Sequence, residues 1–315
     1  MVGFVSERLA TVPLVMLLVS LLVFSFIHLA PGGPVDLMLG PEATPELEAA
    51  LIHEYGLDRP LPEQYLSWLL GVLQGDLHKS MRTHEPVSSM ILARLPASFT
   101  LAVLASVFSL LVSVPLGILA AVKRNSLLDY ASAVAAMLGM ATPNFVAALA
   151  LILLLGLWLG MLPIAGAPSI TGDPLRALPY YVMPTVALGL NFAALQMRLV
   201  RASLLEVLGK DYIRTAYGKG LRSRSVLWSH ALRNALIPLV TIVALNFAQI
   251  LSGTVVIEQI FGIPGVGSLF LQSILQRDFP VAQGISLAIA LFFILANLAA
   301  DFLYGWIDPR IRVSG

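Results

Sequence analysis

The chain has 315 residues, 58% of them hydrophobic and only 12% charged, with a mean hydropathy of +0.86. Soluble domains carry about 25% charged residues, so this chain lacks the solvated surface that a water-soluble fold of its size requires and takes lipid as its solvent. Its net charge of +1 gives no electrostatic case for a nucleic-acid partner, and zero cysteines exclude disulfides and thiolate metal sites.

A bilayer core about 30 Å thick takes roughly 20 apolar residues in a helix. Runs free of acidic and basic charge lie at Leu9–Val35, Ala97–Val122, Tyr130–Gly172, Ala177–Met197, Asn234–Ile257 and Phe279–Ala300. The third is too long for one span, but its tail, Leu162-Pro163-Ile164-Ala165-Gly166-Ala167-Pro168, reads as a loop. An all-α fold follows, with six transmembrane helices whose cores lie near 10–30, 98–121, 131–160, 179–197, 237–256 and 282–304. The first run exceeds a signal-peptide core of about 7–15 residues, and Pro31-Gly32-Gly33-Pro34 follows it without a small-x-small cleavage pattern.

Between the first two spans, residues 31–96 form an extracytoplasmic loop with helical character. Thr44 can cap a helix with Pro45 in its first turn and Glu46 and Glu48 beside it. A second stretch, Glu63–Leu73, places Tyr65, Leu66, Leu69, Leu70 and Leu73 at helical spacing. Such a face either packs on the membrane domain or lies in the headgroup layer. The expected organisation is thus 1–30 as the N-terminal segment and first span, 31–96 as the external loop, and 97–315 as a five-helix core.

Orientation follows from the basic residues. With six spans both termini share a side with the loops after spans two and four, and that side holds 13 of the 19 Lys and Arg. Both termini are therefore expected in the cytoplasm. Within the spans, Pro115 and Pro143 are expected to bend helices, and Gly139 and Gly156 to permit close helix contact. Asn144, Asn191, Gln196, Asn246, Gln249 and Ser252 are candidates for lining a translocation path, or else hydrogen-bond between helices. Glu258 reads as an interfacial residue and Asp301 as an interfacial or helix-packing acid.

The longest cytoplasmic loop, 198–236, has the richest pattern. Asp211-Tyr212-Ile213-Arg214-Thr215-Ala216-Tyr217 reads as a short helix, Gly218-Lys219-Gly220 as a turn, and a second helix begins near Ser223. Asp211 suits a helix start and Gly220 a left-handed cap. A short surface helix held between two spans is a lever. The alternative is a basic loop near anionic lipid, which leaves the helix–glycine–helix order and the interleaved Tyr212, Ile213, Leu221 and Trp228 unexplained.

This segment, Asp211-Tyr212-Ile213-Arg214-Thr215-Ala216 through Lys219-Gly220-Leu221 to His230-Ala231-Leu232-Arg233-Asn234-Ala235, resembles the membrane subunits of binding-protein-dependent ABC importers, in the dipeptide and oligopeptide permease branch. Arg214-Thr215-Ala216 stands in the place of the family's E-A-A, with Gly220 as its glycine; Arg214 replaces the acid, His230 the isoleucine and Arg233 the proline. The likeness extends to Tyr55-Gly56-Leu57-Asp58-Arg59-Pro60-Leu61 near the front and to Glu258-Gln259-Ile260-Phe261-Gly262-Ile263-Pro264-Gly265-Val266-Gly267 and Asp308-Pro309-Arg310 at the back.

The resemblance implies a multi-pass protein of the bacterial inner membrane that pairs with a homologous second permease subunit. It implies that Asp211, Tyr212, Ile213, Arg214, Thr215, Ala216, Tyr217, Gly218, Lys219 and Gly220 form a coupling helix for two cytoplasmic ABC ATPases. An extracytoplasmic binding protein would deliver solute at the loops 31–96, 162–178 and 258–280. ATP and Mg belong to the ATPase partners, and no cofactor is expected in this chain, which lacks a G-x-x-x-x-G-K-[ST] phosphate cradle. The solute implied is a di- or oligopeptide, with glutathione or a nickel or other metal chelate as alternatives. A secondary transporter or channel would need ionisable groups inside the spans, and an intramembrane hydrolase a nucleophile–base pair; the first five spans hold none beyond His28.

Overall fold

The computed structural model describes residues 2–29, 52–53 and 58–307, with side chains over 11–25, 52–53 and 58–299. The expected helix start at Thr44–Glu48, the motifs at 31–34 and 308–310, and the side chain of Asp301 lie outside this range. The described chain is helical: α1 (Val2–Leu29), α2 (Leu61–Leu73), α3 (Val87–Val122), α4 (Leu127–Ala141), α5 (Asn144–Leu151), α6 (Pro174–Leu208), α7 (Asp211–Gly218), α8 (Ile237–Phe261), α9 (Val266–Leu275) and α10 (Phe279–Ile307). Among the described residues, strand pairing is limited to an isolated bridge, Lys79 with Pro86.

Four described helices are long and apolar enough to cross a membrane: α3, α6, α8 and the stretch Phe279–Ala299 of α10. The expected single span over 131–160 is two pieces. α4 ends at Ala141, Thr142 is extended at φ −85° and ψ 115°, and α5 restarts after Pro143, continuing as a π-helix over Ile152–Trp158. The two pieces are bent by 103°. The reason is local: proline offers no N–H and pushes the residue before it out of helical geometry. By contrast α3 runs unbroken in secondary structure through Pro96 and Pro115. α6 starts at Pro174, capped by the Asp173 carboxylate, so 174–178, expected in a loop, are helical; α9 falls in a stretch expected to be loop.

The chain divides into two compact units, Met1–Pro96 with Pro264–Ile294, and Ala97–Ile263 with Leu295–Gly315. In the first, Val87, Ile91, Val266, Leu269, Val281 and Ile285 form a buried cluster. Asp278, buried just before α10, accepts a short hydrogen bond from Ser80 Oγ and a bond from Met81 N at 3.1 Å. That carboxylate fixes the turn leading into α3.

In the second unit the core is built from α3, α5, α6 and α8, with Leu101, Tyr181, Met183, Leu188, Ile250 and Phe261 fully buried. Two glycines set how closely α3 and α6 approach. A Cβ on Gly189 would stand 2.8 Å from Ala105 O and 2.7 Å from the Phe108 ring, and one on Gly117 2.8 Å from Val200. Gly139, as expected, also faces a neighbouring helix, its Cβ position 3.0 Å from Ala194. Glu258, near the end of α8, is completely buried and accepts a hydrogen bond from Ser98 Oγ at 2.6 Å. A carboxylate in an apolar core requires such donors.

The break between α4 and α5 frees backbone carbonyls. Pro143 cannot donate to Gly139 O, and the helix restart removes the usual donor to Met140 O. Asn191, on α6, supplies the replacement: its Nδ2 lies 3.2 Å from Met140 O and 3.5 Å from Gly139 O. In an apolar medium freed carbonyls are met by neighbouring helices in this way. Replacing Asn191 with Leu is expected to destabilise the folded protein by about 1–2 kcal/mol, read as a lower melting temperature in detergent; an unchanged temperature would show that the amide bonds carry no stability.

Candidate functional site

α6 ends at Leu208, and Gly209 and Lys210 turn the chain into α7. Lys210 Nζ meets Glu206 Oε1 at 2.8 Å across this corner. The hydrogen bond to that carboxylate, then its charge, raises the Lys210 ammonium above its ordinary range. Asp211 opens α7, where a negative charge favours the helix dipole. Arg214 lies 3.7 Å from Asp211, an exposed pair of the kind that contributes little.

The other end of α7 is closed by Gly220 at φ +79°. Gly220 N donates to Tyr217 O at 2.9 Å and Leu221 N to Ala216 O at 3.4 Å. These two bonds are the Schellman arrangement, which uses carbonyls that a helix end leaves free. The expected cap is therefore present, with Gly218 still inside the helix. Beyond it the chain is helical at Ser223–Ser225, π-helical over Val226–Ala231 and α-helical again at Leu232–Ala235.

One face of α7 is a buried anchor. Ile213 and Ala216 sit in a cluster with Leu204 of α6, Ala121 of α3, and Val226, Ala231, Leu232 and Ala235. The opposite face is exposed: Tyr212, Arg214, Thr215, Tyr217 and Lys219 lie on it, and Leu221 and Trp228 beyond it are exposed too. Asn234 Nδ2 donates to the Tyr212 hydroxyl at 3.0 Å, joining α7 to the residues that lead into α8. The segment is thus bonded into its surroundings on one side and offers mixed aromatic and basic groups on the other.

A second anchor lies beside it. Arg201 of α6 makes a two-pronged ion pair with Asp129 in the first turn of α4, with Nε–Oδ1 at 2.6 Å and Nη2–Oδ2 at 2.8 Å. Asn125, left-handed at φ +62°, adds its N–H to Asp129 Oδ2 at 3.0 Å. Sequence reasoning missed this pair. The available signal was an acid in the first turn of a span on a side otherwise dominated by basic residues.

Comparison with known proteins bears on what such a structure does. Residues 113–313 match the profile of the binding-protein-dependent transport system inner membrane component, and residues 1–102 that of its N-terminal component. The chain belongs to this family. It is 38% identical to the dipeptide transport system permease protein DppB of Escherichia coli (strain K12), over 99% of each chain. It is 37% identical to the oligopeptide transport system permease protein AppB of Bacillus subtilis (strain 168), over 99% of this chain and 100% of that one. Identity to the glutathione transport system permease protein GsiC of Salmonella choleraesuis (strain SC-B67) is 38%, over 99% of each. In fold it is similar to a chain of the MetNI methionine ABC transporter in an inward-facing conformation, at 16% identity and a TM-score of 0.57, over 70% of this chain and 97% of that one.

As an inner-membrane permease subunit of an ABC importer, the chain has its expected path residues in different settings. Gln196 is buried and accepts from Ser113 Oγ at 3.2 Å. Asn246 is buried, with its Nδ2 lacking a hydrogen-bond partner. Asn144 and Asn191 are half-buried, Asn191 being engaged at the α4–α5 break; Gln249 and Ser252 are exposed. Asn246 and Gln249, three residues apart on α8, therefore differ in burial, the first enclosed and the second exposed. For the permease's α7, Ile213→Asn is expected to release the helix from its anchor. The measurement is limited proteolysis in membrane vesicles, with new tryptic cleavage at Arg214 or Lys219; an unchanged pattern would reject Ile213 as the seat.

Proposed function

We propose that this chain forms half of the translocation path of an ATP-driven importer of di- or oligopeptides, and that α7 is the helix through which the ATPases work it. In this reading it pairs with a homologous second permease, two ABC ATPases bind at Asp211–Gly220 from the cytoplasm, and an extracytoplasmic binding protein delivers the solute. The six spans begin with α1, both termini are cytoplasmic, and the residues 31–96 are external. ATP and Mg act in the partners. Asn144, Asn191, Gln196, Asn246, Gln249 and Ser252 remain the candidates for polar groups along the path, Gln249 and Ser252 first because they reach the subunit's surface.

The observation that carries this reading is the two-faced α7: Ile213 and Ala216 buried against the ends of α3 and α6, with Tyr212, Tyr217 and Lys219 turned outward. A ligand can shift a conformational equilibrium only through its different affinity for the two states. ATP-driven closure of the partners would supply that difference at the exposed face, and the buried face would carry it into the spans. Solute release toward the cytoplasm follows nucleotide hydrolysis.

Gly220→Pro tests the coupling. Proline fixes φ near −65° and has no N–H, so it loses both the positive φ and the bond to Tyr217 O. The variant is expected to insert and assemble but to lose solute-stimulated ATP hydrolysis; normal stimulation would reject α7 as the lever.

Glutathione is the second reading, favoured by 38% identity to the glutathione permease over 99% of both chains. Uptake by proteoliposomes containing the full importer separates the two. Labelled dipeptide is expected to accumulate with ATP, and accumulation of glutathione alone would replace the peptide assignment.

A further inference from the structure

α2 is an exposed amphipathic helix between α1 and α3. It stands on α1 through aromatic side chains: the Phe24 ring centroid is 5.4 Å from that of Tyr65 and 5.8 Å from that of Trp68. Ser20 Oγ and Tyr65 Oη are 2.8 Å apart. Ser20 already donates its proton to Leu17 O at 2.8 Å, so the tyrosine hydroxyl is the donor between them. α1 has 28 residues, about 42 Å at 1.5 Å per residue. Ser20 lies nine residues before its end at Leu29, about 13 Å along the axis. α2 is therefore bonded to α1 at Ser20 and Phe24, short of the α1 end at Leu29.

The spacing along α2 divides it into three stripes. Tyr65, Trp68, Leu69 and Val72 are half-buried, at positions i, i+3, i+4 and i+7 on the face that meets α1. Leu66, Leu70 and Leu73 form the adjacent stripe and are 56%, 57% and 75% exposed. Glu63, Ser67 and Gln74 fall on the remaining side. No polar residue separates the leucine stripe from the aromatic one, so the apolar surface of α2 is continuous with its contact on α1. On α1 itself Leu14, Leu17, Leu18, Leu21 and Leu22 are exposed in the same unit. Water is a poor neighbour for such a surface; acyl chains are a favourable one.

We infer that α2 is an interfacial helix whose Leu66, Leu70 and Leu73 stripe is covered by membrane lipid, with Glu63, Ser67 and Gln74 toward the headgroups and water. Tyr65 and Trp68 serve as the amphipathic aromatic anchors found at membrane interfaces. α2 thereby ties the 31–96 loop to the bilayer surface. The inference rests on the proposed reading of α1 as a span, and on the proposed orientation for its leaflet, which that orientation makes the outer one.

The absence of cysteine in the native chain makes the test direct. Leu66→Cys, Leu70→Cys, Leu73→Cys and, as polar-side controls, Ser67→Cys and Gln74→Cys are labelled with an NBD fluorophore. The complete importer carrying each is reconstituted in phosphatidylethanolamine–phosphatidylglycerol vesicles, keeping only variants that retain assembly with the ATPases. Doxyl-labelled lipid is expected to cause a several-fold larger loss of emission at the three leucine positions than at Ser67 and Gln74, with aqueous iodide giving the reverse order. Iodide quenching at the leucine positions would place them in water, and protection from both quenchers would place them against protein; either overturns the inference. Dithionite added outside then reads the leaflet. Its failure to reach the probes of importers oriented with their ATPases inside would overturn the orientation while leaving the lipid contact standing.

Discussion

Hydrocarbon offers no hydrogen bonds, so a polar group that the chain buries is costly unless another part of the protein meets it, a cost that the Asn246 amide nitrogen still carries. That requirement fixes the long-range geometry of the core. Glu258 near the end of α8 is reached by Ser98 of α3, Gln196 of α6 by Ser113 of α3, and the carbonyls opened by Pro143 by Asn191 of α6. Apolar packing is permissive about helix rotation, because leucine against lipid and leucine against leucine differ little. Polar pairings are not permissive. Turning α6 about its axis would withdraw Asn191 and Gln196 from their partners together, leaving buried groups unpaired at a cost well above that of a lost apolar contact.

The same logic explains why α7 is firmly seated although it has only eight residues. An isolated helix of that length does not form in water, since nucleation outweighs so few hydrogen bonds. Asp211 in its first turn favours the helix dipole, Gly220 closes its C-terminal end, and Ile213 and Ala216 enter an apolar cluster. The glycine cap fixes that end, and the cluster fixes the rotation, so that Tyr212, Tyr217 and Lys219 stand outward as a set.

These features differ in how legible they are from residue order. Capping chemistry is local, and the helix from Asp211 to the left-handed Gly220 can be read directly from the sequence. Hydrophobic run length likewise reports α3, α6, α8 and α10, with ends that move by several residues because helices extend past the bilayer on polar turns. The 103° break is legible only as a bend: Pro143 interrupts the helix, but the angle depends on which neighbour receives the freed carbonyls. α9 is hidden because a ten-residue apolar helix between Pro264-Gly265 and Asp278 is too short to register as a span. The buried state of Glu258 depends on a serine 160 residues away, and the Asp129–Arg201 pair spans 72. No local pattern carries such partnerships.

In the proposed coupling, a small-residue contact between α3 and α6 governs how a displacement of α7 would be distributed. α3 and α6 approach so closely at Gly117 and Gly189 that a Cβ at either position would come within 2.9 Å of the facing helix. Packing at that distance leaves little room for sliding, because interiors resist compression by even a methyl group. Both helices also meet the α7 anchor, α3 through Ala121 and α6 through Leu204, and Arg201 on α6 holds the start of α4 through Asp129. The route from α7 to α8 is different in kind. It passes through the π-helical Val226–Ala231, whose wider turns depart from the α-helical ladder and mark a place where register can change. In the proposed coupling, a displacement applied at α7 reaches α3 and α6 together, and reaches α8 both through these π-helical turns and through the Asn234–Tyr212 bond.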